Sequence, residues 1–290
     1  MACGHDLSKP VQPPPQVPAQ ESTIDYSHPY SYTPKHLAEK ILASRASVEG
    51  ERKLVTVLFA DVVNSTAIFE YLDPEDVHNI MDGCIRILLD NVHFYEGTIN
   101  QFRGDGVMAL FGAPIAHEDH AQRACYSALS IQNAIKTYAT VLKKDYDIEF
   151  QMRVGINSGP VVVGAIGDDL RMDYTAEGHT SNLASRLEGM AKPDSIMVSN
   201  ETYRLAEEFF RFQPLGQMNI RGISRPQDTY ELISVGTVET RIDASVAKGL
   251  TRWVGRSRSM NKLKEVYAKI VSDRGQVVAI AGEPGVRYSQ

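Results

Sequence analysis

The chain has 290 residues, 43% of them hydrophobic, enough for a sizeable core in one large domain or two small ones. Its 30 Lys and Arg against 36 Asp and Glu leave a net charge of −6 without long runs of one sign, a balance that argues against electrostatic capture of nucleic acid or an anionic membrane. No stretch approaches the roughly 18 consecutive apolar residues that span a bilayer, and prolines stand where a signal core would be, so a cytoplasmic protein is expected.

Residues 1–33 carry Pro10, Pro13, Pro14, Pro15 and Pro18 with few large apolar side chains, a composition that favours an extended, unpacked tail. Cys3 and His5 supply one thiolate and one imidazole, too few for a tetrahedral metal site. Cys84 and Cys125 fall within helical patterns as small core residues, and three scattered cysteines are no disulfide framework. Helical spacing of Leu37, Ala38, Ile41 and Leu42 predicts a lead-in helix within 34–52.

From 53 to 235 strand and helix patterns alternate. The β-branched apolar run 54–60 reads as a strand covered on both faces, ending at Asp61. Val77, Ile80, Met81, Cys84, Ile85, Leu88 and Val92 recur at three and four over a helix at 74–94. Runs 98–102 and 107–111, separated by Arg103-Gly104-Asp105-Gly106, predict a hairpin with an acid at its tip. A second long helix is predicted at 117–144, then strands near 149–156, 161–166 and 171–175, a helix near 180–190 and short mixed elements to 235. The order β-α-β-β-α-β is that of an α+β, ferredoxin-like sheet with helices packed on one side, followed by a small C-terminal lobe. Beyond 236, Val277 to Ala281 reads as a strand entering Gly282-Glu283-Pro284-Gly285-Val286-Arg287-Tyr288-Ser289. That segment resembles the opening of a phosphate-binding loop, but Arg287 and Tyr288 stand where the loop's glycine and lysine belong. Residues 236–290 are therefore expected to be a linker and the truncated start of an NTPase-like domain with no working NTPase site.

Two carboxylates, Asp61 and Asp105, stand at strand ends that can meet. Such a pair suits Mg²⁺ or Mn²⁺ on a polyphosphate, though turn aspartates capping backbone N–H groups give the same spacing. Val62-Val63-Asn64-Ser65-Thr66 leads into a helix whose first amides can face phosphate or simply form a cap. Asn182 and Arg186, four apart on a helix, share one face, where they suit a ribose and a phosphate or merely solvent.

Four stretches carry a family resemblance. They are Val57-Leu58-Phe59-Ala60-Asp61-Val62-Val63-Asn64-Ser65-Thr66; Phe102-Arg103-Gly104-Asp105-Gly106, continuing to Pro114; Arg153-Val154-Gly155-Ile156-Asn157-Ser158-Gly159; and the segment from Tyr174 to Glu188 around Asn182-Leu183-Ala184-Ser185-Arg186. In this order they closely resemble the catalytic domain of class III adenylate and guanylate cyclases over about 53–235. The branch is similar to the soluble, bicarbonate-responsive adenylate cyclases, whose catalytic domains precede an NTPase module. The resemblance implies an enzyme that closes ATP into 3′,5′-cyclic AMP with two divalent cations, Mg²⁺ or Mn²⁺. It implies metal ligation by Asp61, Asp105 and the Val62 carbonyl, and phosphate contacts from Val63, Asn64, Ser65 and Thr66. Ribose and transition-state contacts fall to Asn182 and Arg186, base reading to Gln101 and Thr175, and a terminal-phosphate contact to Arg221. Gln101 departs from the lysine usual in adenylate cyclases, and its amide suits adenine without excluding GTP. The family further implies a homodimer in which the metal aspartates come from one subunit and the Asn/Arg pair from the other. A guanylate cyclase and a catalytically weak nucleotide or bicarbonate sensor are the competing readings. A diguanylate cyclase lacks its Gly-Gly-Asp/Glu-Glu-Phe motif here, and a DNA-binding module lacks a basic stripe.

Overall fold

The computed structural model describes residues 29–48, 51–166, 170, 172–174, 179–223, 225–236 and 257–271. The Pro-rich segment to residue 28, Thr175 and the 277–289 loop lie outside the described residues. The chain divides into two compact units, Met1–Ala244 and Ser245–Gln290. The described part of the second is helix α8 (Ser257–Val271).

In the first unit β1 (Arg52–Val62), β2 (Thr98–Arg103), β3 (Gly106–Phe111), β4 (Met152–Ile166), β5 (Met172–Tyr174), β6 (Ile196–Ser199), β7 (Phe210–Met218) and β8 (Gln227–Val235) alternate with α1 (Pro29–Tyr32), α2 (Lys35–Val48), α3 (Ser65–Phe69), α4 (Pro74–Phe94), α5 (His120–Tyr146), α6 (His179–Met190) and α7 (Asn200–Ala206). Seven strands run in the order β2-β3-β1-β4-β6-β8-β7, and β5 pairs with the far part of β4. The first four in that order are all antiparallel, the ferredoxin-like arrangement expected from the sequence. The small C-terminal lobe continues the same sheet through β6, β8 and β7.

Side chains alternate across β1. Leu58, Ala60 and Val62 face one core with residues of α4 and α5, among them Ile80, Cys84, Leu88, Cys125, Ala128 and Ile131. Val55, Val57 and Phe59 face the other way and meet Ala184 of α6. Helices therefore cover both faces of β1, which is why it reads as a continuous apolar run. Helix α2 buries Leu37, Ala38 and Ile41 against Leu170, with Ile115 packed alongside.

Several boundaries differ from the expectation: residues 29–32, expected in the unpacked tail, form α1, the lead-in helix is confined to Lys35–Val48, and the second long helix is His120–Tyr146. β1 runs on through Asp61 to Val62, because β4 continues to pair there (Asp61 with Arg153, Val62 with Met152) after β3 has stopped at the pair Ala60 and Val107. The two strands expected near 149–156 and 161–166 are one, β4. Ser158-Gly159-Pro160 stays extended because Thr56, Val55 and Leu54 of β1 pair with it residue by residue. β6 flanks only Val154, Gly155 and Ile156, so Pro160 falls where its missing N–H breaks no β6 ladder.

Candidate active site

The hairpin Arg103 to Gly106 brings the two aspartates together. Arg103 pairs with Gly106 across a two-residue loop, and Gly104 takes φ +60 at the first loop position while Asp105 needs no positive φ. This is the form of a type II′ turn, which glycine at that position permits. Gly106 then passes so close to β1 that an added Cβ would lie 2.3 Å from the Ala60 carbonyl oxygen and 2.8 Å from Asp61 Oδ1. Only a residue without a side chain lets β3 approach Asp61 this closely.

The electrostatics follow from that approach. Asp61, half-buried at the end of β1, is pushed up to about 6 by desolvation first and then by the charge and hydrogen bonding of Asp105; Arg153 pulls the other way without cancelling this. Cys84 beneath the pair is pushed up to about 12 by burial, with Asp105 and Asp61 adding to it, so its thiol stays protonated. Arg153, opposite Asp61 on β4, places a terminal guanidinium nitrogen 3.4 Å from Asp61 Oδ2. Its Nε lies 2.6 Å from Glu188 Oε1 of α6. That N–H points off the line to the oxygen, so the contact is an ion pair and not a formed hydrogen bond.

Two facing carboxylates, of which Asp61 has a raised proton affinity, are the donor set a hard divalent cation fits. No group of three or more His, Cys, Asp or Glu side chains suited to a metal occurs among the described residues, which leaves a backbone oxygen such as that of Val62 and the ligand itself to complete a coordination shell. Val63 donates its N–H to the Gln151 carbonyl at 2.9 Å, so that amide is already engaged by the sheet. Asn64 adopts the left-handed conformation (φ 54), and its carbonyl accepts from the Ala67 and Ile68 N–H groups, opening α3 at Ser65 and Thr66. Gln101 sits exposed on edge strand β2, just past a bulge at Asn100.

Helix α6 carries the second half of the candidate site. It is pressed onto β4: a Cβ on Gly155 would fall 2.1 Å from the Glu188 nitrogen and 2.4 Å from the Ala184 oxygen. Asn157 Nδ2 donates to the Thr180 carbonyl at 2.8 Å, and Thr180 Oγ1 donates to the Pro160 carbonyl at 2.9 Å, fixing the helix start. His179, the first residue of α6, is exposed. The Arg186 guanidinium lies on the backbone of Gly222, where a Cβ would come within 2.7 Å of its terminal nitrogen. Gly222 has φ +75 in a turn closed by the Ile223 N–H on the Ile220 carbonyl, so Arg221 and Arg186 are neighbours. At 100° per residue, Glu188 points about 140° away from the shared direction of Asn182 and Arg186. The face of α6 turned to Asp61 therefore carries Glu188, and the Asn/Arg pair is directed elsewhere.

Residues 48–234, well over half of the chain, match the family model described as the adenylate and guanylate cyclase catalytic domain. The chain belongs to this family. It is 34% identical over 220 residues to Adenylate cyclase 1 of Rhizobium meliloti (strain 1021), covering 74% of this chain and 33% of that protein. The chain thus spans about a third of the length of that relative. Among solved structures it is similar to the adenylyl cyclase CyaB from P. aeruginosa, with a TM-score of 0.60 and 32% identity over 63% of this chain and 95% of that one. It is similar as well to the guanylate cyclase domain of RhGC from Catenaria anguillulae in complex with GTP, with a TM-score of 0.58 and 30% identity over 64% and 100% of the two chains.

In this cyclase domain the fold joins Asp61 to Asp105 and sets Arg186 against Gly222 in the turn that follows Arg221. Sequence reasoning gave Arg153 and Glu188 no part in the site. The signal was the antiparallel alignment of β1 with β4, which sets Arg153 opposite Asp61. No helix among the described residues is long and apolar enough to cross a membrane.

The raised proton affinity of Asp61 has a cost that stability measurements will read. Because the folded-state value of about 6 exceeds the ordinary 3.8, the ionised carboxylate disfavours the fold fully above pH 6, and this penalty fades as pH falls towards 4. Chelator-treated Asp61→Asn protein is expected to be more stable than wild type at pH 8, by about 1 kcal/mol after allowing for solvent screening of a half-exposed group. The difference should shrink to nothing by pH 4 in thermal melts; a constant difference from pH 4 to 8 would contradict the assignment.

Proposed function

We propose that this chain is the catalytic part of an adenylate cyclase that closes ATP into 3′,5′-cyclic AMP and pyrophosphate at two sites shared across a homodimer. The observation that carries the reading is the meeting of Asp61 and Asp105, two carboxylates whose mutual repulsion, added to desolvation, raises Asp61 to about 6. Desolvating two like charges side by side is unfavourable unless a cation is to join them. When bound, two divalent cations, Mg²⁺ or Mn²⁺, would lower the pKa of the ribose 3′-hydroxyl and offset the triphosphate charge.

The chain's own groups then have these tasks. Asp61, Asp105 and the Val62 carbonyl would hold the cations. Asn64, Ser65 and Thr66 offer amides to the β- and γ-phosphates at the opening of α3, with the Val63 backbone beside them. Asn182 orients the ribose, so that its 3′-oxygen, giving up its proton to solvent, bonds to the α-phosphorus as the bond from that phosphorus to the β-phosphate bridging oxygen breaks. Arg186 offsets charge on the α-phosphate, and Arg221, next to it, meets the terminal phosphates of the leaving pyrophosphate. Gln101 and Thr175 read the base. Because Asn182 and Arg186 point away from the aspartates of their own chain, a second copy supplies the missing half of each site.

Residues 53–235 form the catalytic domain of this proposal, 34–52 the lead-in segment that holds α2, and 236–290 a linker into an NTPase-like segment. The protein would act in intracellular signalling in the cytoplasm. The choice of ATP is supported by Thr175 and by the name of the Rhizobium meliloti relative. Purified protein given ATP and GTP separately with Mn²⁺ or Mg²⁺ is expected to form cyclic AMP at least about tenfold faster than cyclic GMP. A preference for GTP would make it a guanylate cyclase read through Gln101. No product from either, in a folded dimer, would overturn the enzymatic reading in favour of a nucleotide sensor.

A further inference from the structure

Beside the candidate metal position two carboxylates share one guanidinium. Arg153 reaches Asp61 Oδ2 at 3.4 Å and Glu188 Oε1 at 2.6 Å. Neither link is a strong hydrogen bond: the first is long, and in the second the N–H points off line. Glu188 is held firmly, since α6 is pressed onto Gly155 at the backbone of Glu188 itself, and its side chain is only 12% exposed. Arg153 is held by β4 directly across from Asp61. A long side chain between two fixed anions, fully bonded to neither, can shift its weight from one to the other without a backbone movement.

We propose that Arg153 is an exchangeable counter-ion of the metal site and that Glu188 is the positioning residue that takes it over when a divalent cation arrives at Asp61. This rests on the reading that Asp61 and Asp105 bind a cation. Without a cation, Arg153 neutralises part of the Asp61 charge. With a cation held by Asp61 and Asp105, Asp61 would no longer serve as acceptor for the guanidinium, and Glu188 would receive it in a place where its charge stays paired. The half-buried pair would otherwise leave a partly desolvated carboxylate or guanidinium alone, which is unfavourable. Glu188 thereby sets how readily the site exchanges its internal cation for a metal ion.

The test is Mn²⁺ binding by the full chain in the absence of nucleotide, followed by water-proton relaxation, with circular dichroism to establish folding. Glu188→Gln leaves Arg153 with Asp61 as its sole partner of the two and is expected to weaken Mn²⁺ binding about tenfold, within the range of coupling between contacting groups. Glu188→Asp keeps the charge but shortens the reach, and should resemble Gln and not wild type. Arg153→Gln removes the competitor and should tighten binding. In that background Glu188→Gln should change affinity by no more than about twofold. Equal losses from Glu188→Gln with and without Arg153, or wild-type binding by Glu188→Asp, would show that Glu188 adds only general negative potential and would overturn the proposal. If the Glu188 variants do not fold, unchanged or weakened binding by Arg153→Gln overturns it alone. Asp61→Asn is the control for the underlying reading: it must abolish Mn²⁺ binding, and if it does not, the cation assignment fails and this inference with it.

Discussion

Replacing Arg186 by alanine is expected to lower kcat for cyclic-nucleotide formation by about 10²–10³, the usual loss when one preorganised charge contact to a transition state is removed. The guanidinium lies half-buried on the backbone of Gly222, with no room for a β-carbon beneath it, so it is oriented before substrate arrives. A group oriented in advance contributes mainly where charge develops, and KM should move far less than kcat. Arg186→Lys keeps the charge but loses the planar fork and should recover only part of the loss. Since Arg186 is half-buried and packs on the exposed Gly222 turn, the variant's melting temperature should stay close to that of wild type. A loss confined to KM would mean that Arg186 binds ground-state nucleotide only.

The largest structural effect is expected at Gly155. An alanine methyl there would sit 2.1 Å from the Glu188 nitrogen, 2.4 Å from the Ala184 oxygen and 2.7 Å from the Glu188 α-carbon. All three are backbone atoms, so no rotamer change relieves the clash, and α6 must lift from β4. Overpacking of this kind costs about 3 kcal/mol, which for a domain of this size lowers the melting temperature by about 10 °C. Asn182, Arg186 and Glu188 ride on the same helix, so activity should fall well below that of a variant equally destabilised elsewhere, such as Ile131→Ala in the buried core under α5. Gly155→Ala protein with wild-type stability and activity would show that α6 is not clamped to the sheet as described.

The long elements were legible because each shows one pattern without interruption. Helix 74–94 was bounded correctly by Pro74 at its first turn and the end of its apolar period near Phe94. The β2–β3 hairpin followed from Gly104 and Gly106 around Asp105. The continuity of β4 was not legible, because Ser158-Gly159-Pro160 locally signals a break and only its pairing with β1 holds it extended. β7 and β8 were obscured by register shifts at Arg211/Phe212 and Pro214/Gly216, which disrupt the alternation a strand would show. In the candidate site, Asp61, Asp105, Asn182 and Arg186 are assigned through the family resemblance. The Arg153 and Glu188 pair was invisible because its partners lie on different elements, and neither residue differs in type from an ordinary solvated charge. Helical geometry alone separates Glu188 from Arg186, yet its meaning depends on knowing that α6 turns the Glu188 face to Asp61.

In the proposed homodimer each active site takes its aspartates from one subunit and its Asn/Arg pair from the other. Asp61→Ala and Arg186→Ala proteins, each inactive alone, should regain about a quarter of wild-type cyclase activity when unfolded and refolded together in equal amounts, since half the dimers are then mixed and each mixed dimer has one intact site. No recovery, with mixed dimers demonstrated by differential tagging, would contradict the account and require both halves of the site to come from a single chain.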